Sequence, residues 1–132
     1  MQSSPKVVEA VDSLLEQFSN AVSRHDPRVV LALFAEDPNI AMLGSEKREI
    51  AIGRKEFRRF LQRVLSRRET YSWKWKRKMI SIRGNVAWIT AEGSVIVREG
   101  SRENITPYRP TGVFEKRKAK WLWMHYHGSE PV

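Results

Sequence analysis

The sequence predicts an α+β protein in which helices of the first half pack on one face of a curved antiparallel sheet built by the second half. Three observations carry this. Apolar residues recur at helical spacing through the first 65 positions, long runs of strand-forming residues fill Tyr71 to His127, and turn signals separate those runs. At 132 residues the chain fits one domain, 1–132, with one core.

Ser3 or Ser4 can cap a first helix whose opening turn holds Pro5. Val7, Val8, Val11, Leu14, Leu15, Phe18, Ala21 and Val22 then follow helical spacing to about Arg24. Asp26-Pro27 starts a short second helix burying Val30, Leu33 and Phe34, and Asp37-Pro38 stops it. Two short strands, 39–43 and 49–52, flank a polar loop. Gly53 opens a third helix with the stripe Phe57, Phe60, Leu61, Val64 and Leu65, opposite Arg58, Arg59, Arg63 and Arg67.

Strands follow at 71–82 and 86–98, joined at Gly84-Asn85, where both residues tolerate positive φ. A polar loop from Glu99 to Asn104 precedes a strand over 105–115, and the basic turn 116–119 leads into the last strand. Strict alternation there puts Trp121, Trp123, His125 and His127 on one face and Leu122, Met124 and Tyr126 on the other. A strand apolar on both faces must be covered on both.

Composition narrows the class. Hydrophobic residues at 41% and charged residues at 30% are ordinary for a globular domain. No apolar run approaches the roughly 18 residues of a membrane span, and the first residues lack the pattern of a signal peptide. The absence of cysteine excludes disulfides and thiolate metal sites and agrees with a cytoplasmic protein. The net charge of +9 is local: Arg54 to Lys78 holds eleven basic residues against Glu56 and Glu69, and the remainder balances. Alternation places Lys74, Lys76 and Lys78 on one strand face and Trp73 and Trp75 on the other. A nucleic-acid base therefore could not stack beside the charges holding its backbone, which argues against nucleic acid as the partner.

Four stretches carry a resemblance over nearly the whole chain. They are Leu33-Phe34-Ala-Glu-Asp-Pro38, Gly53 with Phe57 and Phe60, Gly84-Asn-Val-Ala-Trp88, and Arg109-Pro-Thr-Gly-Val-Phe114 leading to Trp121, His125-Tyr-His127 and Ser129. Their order resembles the nuclear transport factor 2-like superfamily, and within it the SnoaL-like and calmodulin-dependent protein kinase II association-domain branch. The resemblance implies a cystatin-like cone whose sheet wraps the helices, a ligand pocket at the open end and a homodimer through the sheet. It implies no cofactor. Its members include isomerases, dehydratases, cyclases and hydrolases as well as non-catalytic modules, so the fold alone selects no reaction.

Glu92 shares a strand face with Trp88 and Thr90. In an aromatic pocket its carboxylate would have a raised pKa, suiting it to general acid–base catalysis. On an outer face it would be solvated or paired with arginine. The matching position in the kinase association domains is similar to an arginine, and Gly112 and Gly128 stand where the resemblance implies two more, so small acids are not the implied ligands. Arg109 could clamp a substrate carboxylate or carbonyl, or pair with Glu92 or Glu103. His127 completes the catalytic set. Phe57, Trp75, Trp88, Thr90, His125 and Tyr126 are expected to line the pocket. His125 and His127 could share a metal, yet His25 is the only other histidine and no third ligand is evident, so no metal is expected.

Two functions follow. One is a small-molecule pocket protein performing acid–base chemistry on a mainly apolar substrate. The other is a non-catalytic dimerisation or binding module whose basic face meets an acidic partner. The first requires Glu92 to open into an aromatic cavity, and it loses that mechanism if the carboxylate lies outside or is paired.

Overall fold

The computed structural model describes residues 5–131, so the expected Ser3 or Ser4 cap lies outside the described residues. Helix α1, Pro5–Ser23, buries Val11, Leu14, Leu15, Phe18, Ala21 and Val22. It ends through His25, which takes the left-handed conformation (φ 56°) that closes many helices. The His25 ring then bonds the Leu65 carbonyl at 2.9 Å and Thr70 Oγ1 at 3.2 Å, tying the end of α1 to the segment after α3. Helix α2, Pro27–Ala32, is capped by Asp26, whose carboxylate accepts from the amides of Arg28 and Val29. Its C-terminal carbonyls do not go unpaired: Arg54 Nη1 donates to Leu31, Phe34 and Ala35.

Strands β1 (Ala41–Leu43) and β2 (Ile50–Ile52) precede α3, Gly53–Val64. Gly53 has φ +82° and donates its amide to the Ile40 carbonyl, a turn that a side chain would strain. Phe57, Phe60, Leu61 and Val64 of α3 are buried, while Arg58, Arg59 and Arg63 face water. Four long strands follow: β3 (Thr70–Arg83), β4 (Val86–Glu99), β5 (Arg102–Arg117) and β6 (Lys120–Ser129). The expected loop over 99–104 shrinks to a tight turn at Gly100-Ser101. No helix among the described residues is long and apolar enough to cross a membrane.

The α+β expectation holds. The sheet runs β2-β1-β6-β5-β4-β3. It departs from a purely antiparallel sheet in one place, where β1 pairs parallel with β6 through Ala41–His125, Met42–Tyr126 and Leu43–His127. The inner face meets the helices. On β4 it carries Ala87, Ile89 and Ala91, all buried, while Trp88 and Thr90 on the outer face are exposed.

Two register shifts overturn the expected alternation. The first, between Trp75 and Arg77 of β3, inserts Lys76 as an extra residue. Tyr71, Trp73 and Trp75 before it and Ile80 and Ile82 after it then share the inner side. Lys78 goes with them, reaching Asp12 of α1 at 2.5 Å, so the expected row of three lysines does not form. The second shift inserts Met124 between Trp123, opposite Phe114, and His125, opposite Val113. Trp121, Trp123 and Tyr126 all lie inside, and His125 and His127 turn outward. Trp123 is wholly buried against Phe18, Phe34, Phe114 and Tyr126.

Candidate functional site

The residues expected to carry chemistry gather on the outer face. Trp88, Thr90 and Glu92 point outward from β4, Arg109 and Thr111 from β5, and His125 and His127 from β6. The register that pairs Thr90 with Thr111 and Gly93 with Tyr108 sets Glu92 opposite Arg109. Glu92, Arg109 and His127 border one hollow with Arg77 and Thr90. Glu92 Oε1 lies 3.3 Å from Arg77 Nη2, and its side chain is 37% exposed. A carboxylate in contact with water and arginine lacks the apolar surroundings that general-base chemistry needs. The Glu92 mechanism, which requires an aromatic cavity, is therefore lost, and Trp88 and Thr90 lie on the outer face with it.

Other members of the expected set divide. Phe57 is core, with its ring 4.5 Å from that of Phe34. Trp75 packs against the core without lining the inner cavity. His125 is half-buried, and its pKa is lowered by burial first and by the charge of His127 second. Among the described residues no three His, Cys, Asp or Glu side chains come together as a metal site. Tyr126 lies at the wall of a cavity inside the protein.

That cavity, of about 110 Å³, lies between the inner face of the sheet and helices α1 and α3. Phe18, Phe60, Tyr71, Trp73, Tyr108 and Tyr126 supply its aromatic walls, and Ser45, Glu46, Glu49 and Glu130 its polar border. In its depth the hydroxyls of Tyr108 and Tyr126 stand 2.6 Å apart. Gly128 makes this possible, because a Cβ there would lie 1.7 Å from the Tyr108 hydroxyl. Gly112 serves Trp123 in the same way, since its Cβ would meet the indole at 2.4 Å. Both glycines that the resemblance set in place of arginines thus make room for aromatic rings.

Burial pushes the Tyr108 phenol up to about 12, and burial raises Tyr126 well above the ordinary tyrosine value. Both are neutral at pH 7 and carry their protons. One proton serves the bond between them, and the other has no acceptor among the described residues. The indole N–H of Trp73, on the same wall, is also buried without a partner. Glu49 Oε1 accepts from the Glu46 amide at 3.1 Å. Burial raises the Glu49 pKa, opposed by that hydrogen bond and reinforced by the charge of Glu46.

The cavity thus holds hydrogen-bond donors deep inside and a partly desolvated carboxylate at its border. Donors can hold a carbonyl or developing oxyanion, and a carboxylate of raised pKa can take up or return a proton. Sequence reasoning missed Glu49 and Tyr108. Glu49 reads as the first residue of a short strand, and Tyr108 sits between prolines 107 and 110, which mark irregular strand.

The fold recurs in solved structures. A nuclear transport factor 2-like superfamily protein from Salmonella enterica serovar Typhimurium is 17% identical, with a TM-score of 0.83 over 98% of this chain and 94% of that one. A nuclear transport factor 2-like protein of unknown function from Pseudomonas putida is 16% identical, with a TM-score of 0.84 over 99% and 91%. A Streptomyces avermitilis protein, named provisionally as a dehydratase of the same family, is 18% identical, with a TM-score of 0.83 over 98% and 99%. At these identities the likeness is one of fold. No curated protein matches the chain. A family model described as the SnoaL-like domain matches residues 11–132, and the chain belongs to that family.

Proposed function

We propose that this protein binds a small, mainly apolar, oxygen-bearing molecule in the inner cavity and performs proton-transfer chemistry on it. The observation that carries the reading is the Tyr108–Tyr126 pair, whose spare hydroxyl proton lacks an acceptor. A ligand oxygen would accept it, and charge developing on that oxygen would be stabilised by neutral donors already in place. Glu49 is the proton acceptor or donor, its basicity raised by burial. The dehydratase name of the Streptomyces protein fits such chemistry, since loss of water beside a carbonyl begins with removal of a proton.

Hydrogen–deuterium exchange at the α-carbons of cyclohexanone, followed by NMR in D2O, tests the reading. Exchange should exceed the buffer rate and saturate with ketone. Glu49→Gln should lower it by about 10²-fold or more, and Tyr126→Phe by about 10²-fold. Binding without exchange would leave a ligand carrier, and exchange that survives Glu49→Gln would remove Glu49 from the mechanism.

The same reading includes a homodimer through the outer face. Met79 is 61% exposed and Trp88 40%, large apolar side chains on the neighbouring strands β3 and β4 of that face. Light scattering at micromolar concentration should give the dimer mass, and Trp88→Glu should shift it to monomer while the far-UV circular dichroism is retained. A wild-type monomer refutes the pairing.

A further inference from the structure

The border of the cavity runs against the charge of the rest of the protein. The chain carries 24 Lys and Arg residues against 15 acids, yet the charged side chains lining this cavity are Glu46, Glu49 and Glu130, all carboxylates. Lys47 and Arg48 belong to the same loop and do not line it. Arg67 is the one cation joined to the cluster by an ion pair among the described residues, lying 3.9 Å from Glu46 and within hydrogen-bonding reach of the Tyr71 hydroxyl. Glu49 and Glu130 have no cation within ion-pair distance among the described residues. Glu130 accepts from Ser45 at 2.7 Å, and Glu49 accepts from a backbone amide, so the cluster is held in place without being neutralised.

Behind these acids stand the aromatic side chains of Phe18, Phe60, Tyr71, Trp73, Tyr108 and Tyr126. A carboxylate cluster opening onto aromatic walls suits one chemical class of ligand. An organic ammonium group is attracted by the aromatic quadrupoles and by the acids together, while a carboxylate ligand is repelled by both. The deeper polarity is opposite, because the Tyr108–Tyr126 pair and the Trp73 N–H are donors left without acceptors.

We propose that the ligand of this cavity is a small organic cation, an ammonium group on a compact apolar frame with an oxygen at its far end. The ammonium sits at Glu46, Glu49 and Glu130, and the oxygen accepts from the tyrosine pair. This rests on the inner cavity being the ligand site and adds the sign of the ligand's charge. It also gives Glu46 and Glu130 a role that a neutral ketone would leave unused.

The test is a matched trio titrated into the intact protein: cyclohexylamine, cyclohexanol and cyclohexanecarboxylate, read by tryptophan fluorescence and by NMR shifts of Trp73, Tyr108 and Tyr126. Cyclohexylamine should bind saturably and about tenfold or more tighter than cyclohexanol, with the carboxylate weakest. Glu49→Gln and, separately, Glu130→Gln should narrow the amine-over-alcohol ratio to about threefold or less. Glu130 is exposed, so its variant keeps the test open should Glu49→Gln fold poorly. Equal binding of amine and alcohol, or a ratio unmoved by both variants, overturns the cation assignment and leaves the cavity as the ligand site. No response of the cavity resonances to any of the three overturns both.

Discussion

Replacing Trp123 with alanine should cost about 3–5 kcal/mol, the range for deleting a large buried aromatic side chain. The indole is wholly buried, its ring centroid 4.2 Å from that of Phe114, 5.5 Å from Tyr126, 5.7 Å from Phe18 and 5.8 Å from Phe34. It joins α1, the segment after α2 and two strands, and Gly112 has no side chain because the ring occupies that space. Alanine cannot fill the void, and helix and sheet cannot both close on it. Total stability of a domain this size is about 5–15 kcal/mol, so the variant should be partly unfolded at the low end of that range. Urea denaturation checks it: the midpoint should fall by about 1–3 M with an unchanged slope. A shift below about 0.5 M would mean that the core does not depend on this ring.

Gly128→Ala should cost about 2–6 kcal/mol and should also disarm the cavity. The new methyl would lie 1.7 Å from the Tyr108 hydroxyl and 2.4 Å from Cζ, and a ring buried by its neighbours has nowhere simple to go. Overpacking of this kind costs about 1–3 kcal/mol, and breaking the Tyr108–Tyr126 bond inside the protein adds about 1–3 kcal/mol for the stranded hydroxyl. Adding Tyr108→Phe removes the oxygen of the 1.7 Å contact and should recover part of the loss. The two changes should therefore couple in a double-mutant cycle by about 0.5–3 kcal/mol. Strict additivity in thermal melts would show that the methyl is accommodated some other way.

Much of the fold was legible because it rests on local periodicity. The stripe Phe57, Phe60, Leu61 and Val64, the Asp26-Pro27 start and the Gly84 turn all appear where the chain signals them. The faces of the strands were not legible. Period-two reasoning assumes an unbroken ladder, and nothing marks Lys76 among basic residues or Met124 in a run of apolar ones as the extra residue. On β4 the alternation was right but its direction was reversed. Trp88 looked like the inward residue by size, while Ala87 and Ala91 are the ones that fit beneath the helices. Glu92 was misplaced with it. Glu49 was invisible for another reason: its burial is created by strands far along the chain that close around its loop, and no window of sequence contains that fact.

The extra residue at Met124 has a consequence for how such a protein can change over generations. Losing that single codon would restore unbroken alternation between Trp123 and the end of β6. If Trp123 kept its seat, Tyr126 would stay inside and His125 and His127 outside, because the bulge already absorbs the added residue. One deletion would straighten the strand without exchanging its two faces. This point of β6 is therefore a place where the chain can gain or lose a residue while the phenol in the interior keeps its seat.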